Sequence, residues 1–240
     1  MASDAAAPDV RVVGGWASPF VMRVCVALRL KGVAYEFLQE ELVKKIDLLL
    51  ASNPVHKKMP VLLHGGRPVC ESLVILQYVD KAFAGAGPPT PTMVRPRRPP
   101  YRFWAEYTDA KVRQIAGHDR RRQGRGGGAG RRGAAAEQVA AALGQLQEAF
   151  AGCSEGRHFF AGDDVGFLDI VLGSYVGWFR AAEKITGQPV LDETRTPRLA
   201  AWVARFCAHE AVGDVMPDAG RLVEFGEALR AALAASASRP

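Results

Sequence analysis

The chain has 240 residues, 48% of them hydrophobic, which is enough for one large domain or two small ones with buried cores. Its net charge of +6 is local: residues 95–132 hold eleven Arg and one Lys against three acidic residues, or +9, which leaves about −3 elsewhere. No apolar run approaches the ~18 residues of a membrane helix, and the four cysteines form no Cys-x-x-Cys pair. These features argue against a membrane protein, a metal site and a disulfide framework, and favour a reduced cytosolic protein.

The first predicted elements are a strand over Val10–Gly14 and an amphipathic helix from Ser18 to Lys31, which Gly32 ends. Ser is a favoured N-cap residue and Pro a favoured first helical residue, so Ser18-Pro19 marks the start of this helix. A hydroxyl at that end lies beside the positive pole of the helix dipole. It is therefore placed to stabilise an anion, and a thiolate is the anion we expect.

The following segments complete a small α/β unit. Residues 34–38 predict a second strand, and residues 47–51 a helical turn. Two short strands over 61–63 and 67–70, separated by Gly65-Gly66, predict a hairpin, and a closing helix follows over 72–83.

The rest of the chain predicts a linker and then helices. Residues 84–100 are rich in Gly and Pro, which is typical of a linker. Helical patterns then cover residues 101–115, 134–151, 167–186, 197–209 and 221–235. We therefore divide the chain into a tail (1–9), an α/β domain (10–84), a linker (85–100) and an all-helical domain (101–240).

Five motifs occur in a recognisable order: Ser-Pro-Phe from Ser18, and the segments 52–62, 71–78, 102–107 and 196–202. Together they resemble the glutathione transferase family, and within it the plant tau class. The resemblance implies a thioredoxin-like α/β N-terminal domain, an all-α C-terminal domain and a homodimer. It also implies conjugation of glutathione to hydrophobic electrophiles in detoxification and stress response, with reduction of organic peroxides as a side activity.

The resemblance fails between about residues 88 and 133. The Arg/Gly run over 119–133 holds six glycines, each costing a helix ~1 kcal/mol relative to Ala, so we expect it to lie outside any helix. Such runs occur in nucleic-acid-binding tails, but this one has no aromatic residue to stack a base, and we expect no nucleic-acid partner. We hypothesise instead two local frame disturbances in a GC-rich coding sequence.

The resemblance assigns the glutathione site residue by residue. Ser18 is the catalytic residue, which stabilises the thiolate of glutathione without acting as a nucleophile. Met59, before a proline that the family keeps in the cis form, pairs its backbone with the cysteinyl part. Ser72 and the helix start bind the γ-glutamyl carboxylate, and Glu71 faces the γ-glutamyl ammonium group. Lys45 meets the glycyl carboxylate.

Three further assignments follow. Lys58 is a second candidate cation for the glycyl end. The expected electrophile pocket is chosen from aromatic residues and one lysine: Phe20, Tyr107, Trp104, Lys111, Trp178 and Phe225. Trp104 and Tyr107 share a helix face, and of the two we expect Trp104 to be the core member. Asp169 lies three residues after Gly166 and is assigned to folding, as half of a capping arrangement. The reaction needs no metal or prosthetic group, because glutathione is a co-substrate.

Two other functions are considered. A non-catalytic, ligandin-like carrier of apolar molecules would have the same fold, and the irregular segment 88–133 favours it, because the family's electrophile wall includes this region. A glutathione-dependent thiol reductase would need a cysteine in place of Ser18.

Overall fold

The computed structural model describes residues 9–40, 46–85, 100–112 and 129–237. The chain divides into two compact units, Met1–Arg95 and Pro96–Pro240, and the division falls within the predicted linker. None of the described helices is both long enough and apolar enough to cross a membrane.

The first unit is built on one four-stranded sheet. Its elements are β1 (Val10–Gly14), α1 (Pro19–Leu30), β2 (Glu36–Gln39), α2 (Asp47–Ser52), β3 (Val61–His64), β4 (Arg67–Cys70) and α3 (Ser72–Ala82). The strand order is β2-β1-β3-β4, with β1 parallel to β2 and antiparallel to β3, and β3 and β4 form the predicted hairpin. The predicted thioredoxin-like arrangement is confirmed, although β2 begins at Glu36, later than expected.

Helices α1 and α3 of the first unit run parallel. Arg23 of α1 donates a hydrogen bond to Ser72 of α3 at 3.3 Å, and Lys31 forms a buried ion pair with Asp80 at 2.9 Å. The separation from Arg23 to Lys31 equals that from Ser72 to Asp80, and it corresponds to about 12 Å along the axis of an α-helix. The two helices therefore begin at the same end of the unit, and the positive ends of their dipoles lie on the same side.

The described residues of the second unit form helices joined by loops, and Phe159 and Gly162 form an isolated bridge. Its helices are α4 (Pro100–Val112), α5 (Ala129–Ser154), α6 (Phe167–Gly173), α7 (Val176–Thr186), α8 (Pro197–Ala208), α9 (Glu210–Gly213) and α10 (Ala219–Ala237). Aromatic side chains form part of the core: the ring of Trp202 lies 5.8 Å from that of Phe160 and 5.4 Å from that of Phe206. The short helix α9 was not predicted.

The single helix predicted over 167–186 is wrong, because the chain breaks between α6 and α7. At the break the Ser174 hydroxyl donates to the Val171 carbonyl at 2.8 Å, and the Tyr175 N–H bonds to Leu172, three residues back, at 3.1 Å. These contacts replace the regular pattern of an α-helix. Gly173 stands there because a Cβ atom would lie 2.2 Å from the ring of Phe206.

The prediction for the Arg/Gly run is also wrong in part. Helix α5 begins at Ala129 and not at 134, so it includes Gly130 and Gly133. Three consecutive alanines follow, and a helix of 26 residues can extend over two unfavourable positions because each added residue completes another hydrogen bond. The rest of the run, like the end of the helix predicted over 101–115, lies outside the described residues.

Candidate active site

The sheet registers bring three segments to one end of the first unit. Val13 of β1 lies opposite Val61 of β3 in an antiparallel pair. Two residues further along, after Val13 in one strand and before Val61 in the other, Gly15 therefore lies opposite Met59. Their contact is direct, since the Gly15 N–H lies 3.0 Å from the Met59 Sδ. Val61 also lies opposite Cys70, the last residue of β4, and α3 begins immediately after it. Because α1 follows β1, both helix starts lie at this end of the sheet.

Ser18 occupies the N-cap position of α1, as predicted. Its backbone is extended (φ −84°, ψ 120°) and its Oγ accepts the Val21 N–H at 3.4 Å. This distance is long for such a bond. Among the described residues no acceptor meets the Ser18 O–H, and the side chain is largely buried. The hydroxyl can therefore donate to an anion and keep its helix cap.

Two consecutive glycines allow the backbone to pass close to its neighbours before Ser18. A Cβ at Gly14 would lie 2.5 Å from a methyl carbon of Val21. At Gly15 it would lie 3.3 Å from both the Glu40 carbonyl oxygen and the Met59 Sδ. Larger residues here would move the start of α1 away from the Met59 segment.

The Met59–Pro60 peptide bond is cis, as the resemblance implies. The loop before it is held by Asn53, whose amide group donates to the Lys58 carbonyl at 2.9 Å and whose Oδ1 accepts the His56 N–H at 3.1 Å. Lys58 is exposed and Met59 is half-buried. The exposed Lys58 side chain therefore lies next to the Met59 backbone, in a loop that the Asn53 hydrogen bonds hold in place.

Helix α3 begins with unused hydrogen-bond donors. Glu71 is its N-cap residue, with φ at +69°, and makes no side-chain cap bond. Among the described residues, the N–H groups of Ser72, Leu73 and Val74 meet no acceptor. The Glu71 carboxylate is exposed and lies 3.9 Å from His56 Nε2. Free N–H groups at a helix start bind carboxylates well.

Two site features were not predicted from the sequence. Arg23 is fully buried and donates to the Ser72 Oγ, a contact between two helices that the pattern of α1 alone does not indicate. Glu40 is buried, and its carboxylate accepts the Ile46 N–H at 3.0 Å. Lys45, which lies between Glu40 and Ile46 in sequence, is outside the described residues.

The residues assigned to the electrophile pocket lie in both units. The Phe20 ring of the first unit lies 4.9 Å from the Arg23 guanidinium. In the second unit, Tyr107 lies 5.3 Å from Trp104, ring to ring, while Lys111 is exposed and Trp178 and Phe225 are half-buried. Trp104 is also half-buried and lines a groove with residues of α5, so its assignment to the core is wrong.

Asp169 lies at the start of α6 and is fully buried. Its carboxylate accepts four N–H bonds, from Phe160 at 2.9 Å, Ala161 at 3.3 Å, Gly166 at 3.0 Å and the Trp202 indole at 2.8 Å. Burial raises the pKa of Asp169 to about 6, and the N–H donors oppose that rise. The predicted folding role is confirmed, and it extends to loop 160–161 and α8.

Burial opposes the activation of Cys25 and Cys70 as nucleophiles. Burial raises the pKa of Cys25 to about 11. Burial also raises the pKa of Cys70, which lies at the site end of β4, and the neighbouring Glu71 carboxylate adds to the rise. Within the described ranges, no group of three or more His, Cys, Asp or Glu side chains is placed to hold a metal ion.

Two family models match the chain. The glutathione S-transferase N-terminal domain matches residues 8–81, and the glutathione S-transferase C-terminal domain matches residues 120–205. The second match reaches into the segment 88–133, where the motif resemblance fails.

Similar proteins and structures cover nearly the whole chain. One is named probable glutathione S-transferase GSTU6 of Oryza sativa subsp. japonica, 46% identical over 92% of this chain and 94% of its own length. Glutathione S-transferase U18 of Arabidopsis thaliana is 45% identical over 93% and 97%. Among solved structures, a tau-class glutathione S-transferase from mango, Mangifera indica, is 42% identical with a TM-score of 0.83, covering 92% of this chain and 98% of its own. Rice GST1 (OsGSTU1) in complex with glutathione is 37% identical with a TM-score of 0.79, covering 93% and 99%.

Proposed function

Because the chain belongs to the glutathione S-transferase family, and within it to the tau class, it is a glutathione transferase, and we propose that Ser18 stabilises the glutathione thiolate in its reaction. The observation that supports this role is the Ser18 O–H at the start of α1, which has no acceptor among the described residues. The carrier alternative is not favoured, since the similar proteins are named as transferases.

The free energies are of the right size for this role. A thiol with a pKa near 8.5 is only a few per cent ionised at neutral pH, and lowering its pKa by two units needs roughly 2.7 kcal/mol of preferential stabilisation of the thiolate. One hydrogen bond to a charged acceptor supplies about 1.5–3 kcal/mol, and a helix N-terminus adds about 0.3–1 kcal/mol. Ser18 therefore suffices without a separate base.

The reaction proposed is a nucleophilic substitution or addition. The glutathione thiol releases its proton to water, and the sulfur lone pair forms a bond to the electrophilic carbon. In a substitution the leaving group, such as chloride, departs with its bonding electrons. In an addition the electron pair of the attacked double bond takes up a proton from water. The Ser18 hydroxyl holds the sulfur as an anion and forms no covalent bond. The reaction consumes glutathione as a co-substrate and needs no metal or prosthetic group.

The tripeptide is held by its ends and by its backbone in this proposal. The γ-glutamyl carboxylate binds the free N–H groups and hydroxyl at the start of α3, and the exposed Glu71 carboxylate attracts the ammonium group. Backbone groups of Met59 pair with the cysteinyl part, as an added strand would. Lys45, with Lys58 as the alternative, binds the glycyl carboxylate.

The other proposals concern the second substrate, assembly and location. Hydrophobic electrophiles are the substrate class, and organic peroxides are a further one. Contacts to them are assigned to Phe20, Tyr107, Lys111, Trp178 and Phe225. We place the enzyme in the cytosol. We also propose that it is a homodimer, and light scattering after size-exclusion chromatography tests this by measuring the mass of the assembly.

Two measurements test the function. The protein should bind glutathione-agarose, elute with free glutathione, and conjugate glutathione to chlorodinitrobenzene. A protein that binds glutathione but conjugates nothing is a carrier. One that does neither contradicts both functions.

A further inference from the structure

Arg23 is a fully buried arginine at the start of the proposed glutathione site. Its exposed fraction is 0%, and besides other contacts its Nη1 donates to the Ser72 Oγ at 3.3 Å. Its guanidinium also lies over the Phe20 ring, 4.9 Å from the ring centre. Arginine is almost never fully buried, because removing its charge from water is costly. A charge buried at this cost indicates a specific role for the guanidinium.

The contact with Ser72 decides which way the serine hydroxyl can act. A guanidinium carries only donors, so Ser72 must accept from Arg23. One lone pair of the Oγ is then occupied, and the O–H remains to donate elsewhere. Beside it, the N–H groups of Ser72, Leu73 and Val74 meet no acceptor among the described residues. All these groups are donors, and a carboxylate is the ligand that accepts from several donors at once.

The charge of Arg23 also acts at short range. A carboxylate oxygen bound to the Ser72 O–H would lie about 2.7 Å from the Oγ. Since the Oγ is 3.3 Å from Arg23 Nη1, the guanidinium would be within about 6 Å of that oxygen. Opposite charges at this distance attract strongly when solvent is excluded, and Arg23 and Ser72 are both buried.

We propose that Arg23 is a positioning residue for glutathione: by donating to the Ser72 Oγ it orients the Ser72 O–H as a donor to the γ-glutamyl carboxylate, and it adds a buried positive charge beside that carboxylate. This inference rests on the proposed glutathione site. Arg23 touches neither the thiol nor the electrophile in this account, so it governs binding and not the chemical step.

Glutathione binding by Arg23→Gln is the central test. We expect its dissociation constant, measured by titration calorimetry, and its KM for glutathione to rise about tenfold, the size of one lost hydrogen bond to a charged group. Turnover at saturating glutathione should stay within about twofold of wild type. Arg29→Gln is the matched control, since it removes a cation from the same helix about 9 Å further along and should leave both values unchanged.

A double-mutant cycle separates positioning from a merely structural role. Because Arg23 acts partly through Ser72 and partly through its own charge, Arg23→Gln should raise the dissociation constant about tenfold in the wild-type background but only about threefold in Ser72→Ala. Tenfold losses in both backgrounds would overturn the proposal. So would a loss of turnover with unchanged affinity.

Folding of each variant is checked by thermal unfolding before binding is measured. If Arg23→Gln does not fold, Arg23→Lys serves in the same cycle, because a lysine keeps the charge but cannot keep the guanidinium geometry. A smaller rise that disappears with Ser72→Ala supports the proposal, because Arg23→Lys changes only the contact with Ser72, and wild-type affinity overturns it. If wild-type protein itself binds no glutathione, it is the proposed site that fails.

Discussion

Two helix starts in this molecule meet the same electrostatic requirement in opposite ways. The first N–H groups of a helix have no partners inside it, and a nearby anion stabilises them. At the start of α6 the chain supplies the anion itself: the buried Asp169 carboxylate accepts the N–H of the N-cap residue Gly166, and it also accepts N–H groups of Phe160, Ala161 and the Trp202 indole. At the start of α3 no side chain caps Glu71, and the N–H groups of the first turn meet no acceptor among the described residues.

The difference separates folding from binding. A carboxylate built into the chain makes a helix start part of the core, and the loop over 160–161 and the Trp202 indole join the same group. A helix start that is to bind a substrate must keep its donors for that substrate. The start of α3 thus offers donors beside an uncapped N-cap residue, whereas the carboxylate at the start of α6 is already bound to groups of the chain itself.

Asp169→Asn has the largest expected effect and tests the closed helix start. The amide keeps one acceptor oxygen but turns an NH₂ group towards buried N–H donors. The free energy of unfolding should therefore fall by about 3–5 kcal/mol, as when a buried hydrogen-bond network is broken. Urea unfolding followed by tryptophan fluorescence measures the loss.

Asp192→Asn is the control for this prediction. Asp192 also accepts three hydrogen bonds from side-chain and backbone donors, two from Thr194 and one from Arg195, but they are exposed. We expect little change in its stability. Equal losses in the two variants would show that burial is not what makes Asp169 important.

Ser18→Ala tests the open start of α1. Turnover with chlorodinitrobenzene should fall about 100-fold, which corresponds to roughly 2.7 kcal/mol of lost thiolate stabilisation. The dissociation constant for glutathione should change little, because most affinity comes from the charged ends of the tripeptide. The ultraviolet absorption of the bound thiolate should disappear at neutral pH. Ser18→Thr, which keeps a hydroxyl, is the control, and wild-type turnover in Ser18→Ala would contradict the assignment.

Ser18→Cys sharpens the same comparison. A helix N-terminus lowers the pKa of a cysteine, so the variant should lose conjugation and gain exchange with mixed disulfides of glutathione. A disulfide-exchange assay with wild type as the control measures the gain. Absence of any exchange would indicate that the start of α1 does not stabilise a thiolate.

Lys45→Ala tests the opposite end of the tripeptide, where a side chain and not a helix start is proposed to meet the carboxylate. The KM for glutathione should rise about fivefold, the effect of an ion pair of about 1 kcal/mol, and turnover should change less. Lys58→Ala is the matched variant. A larger rise in Lys58→Ala would assign the glycyl carboxylate to that residue.

Salt should have the smallest effect. Raising ionic strength from 0.01 to 0.15 M shortens the Debye length from about 30 to 8 Å, so glutathione affinity should fall by a few fold. The fall should be smaller in Lys45→Ala, because a partly solvated cation is then missing. Calorimetric titrations at several ionic strengths measure how steeply glutathione affinity falls with salt in each protein. A smaller fall in Lys45→Ala than in wild type supports charge recognition, and an equal fall contradicts the role of Lys45.

The prediction from sequence succeeded where neighbouring residues decide the structure. Ser18-Pro19 begins α1 because a capping hydroxyl and a proline ring suit a helix start in any context. Gly65 and Gly66 both have positive φ, which makes the turn between β3 and β4. The spacing of Gly166 and Asp169 predicted the capping bond of α6. In all three cases the interacting groups are a few residues apart, so local patterns carry the information.

By itself, then, the sequence determined the order of the elements in the first unit, the starts of α1 and α3, and the residues proposed to bind glutathione. Only the tertiary structure decided which charges are buried and against what: Arg23 against Ser72, and Lys31 against Asp80. It also decided the break at Ser174, where Phe206 of α8 packs against Gly173. The physical reason is that the cost of burying a charge, or of continuing a helix, depends on partners supplied by distant parts of the chain.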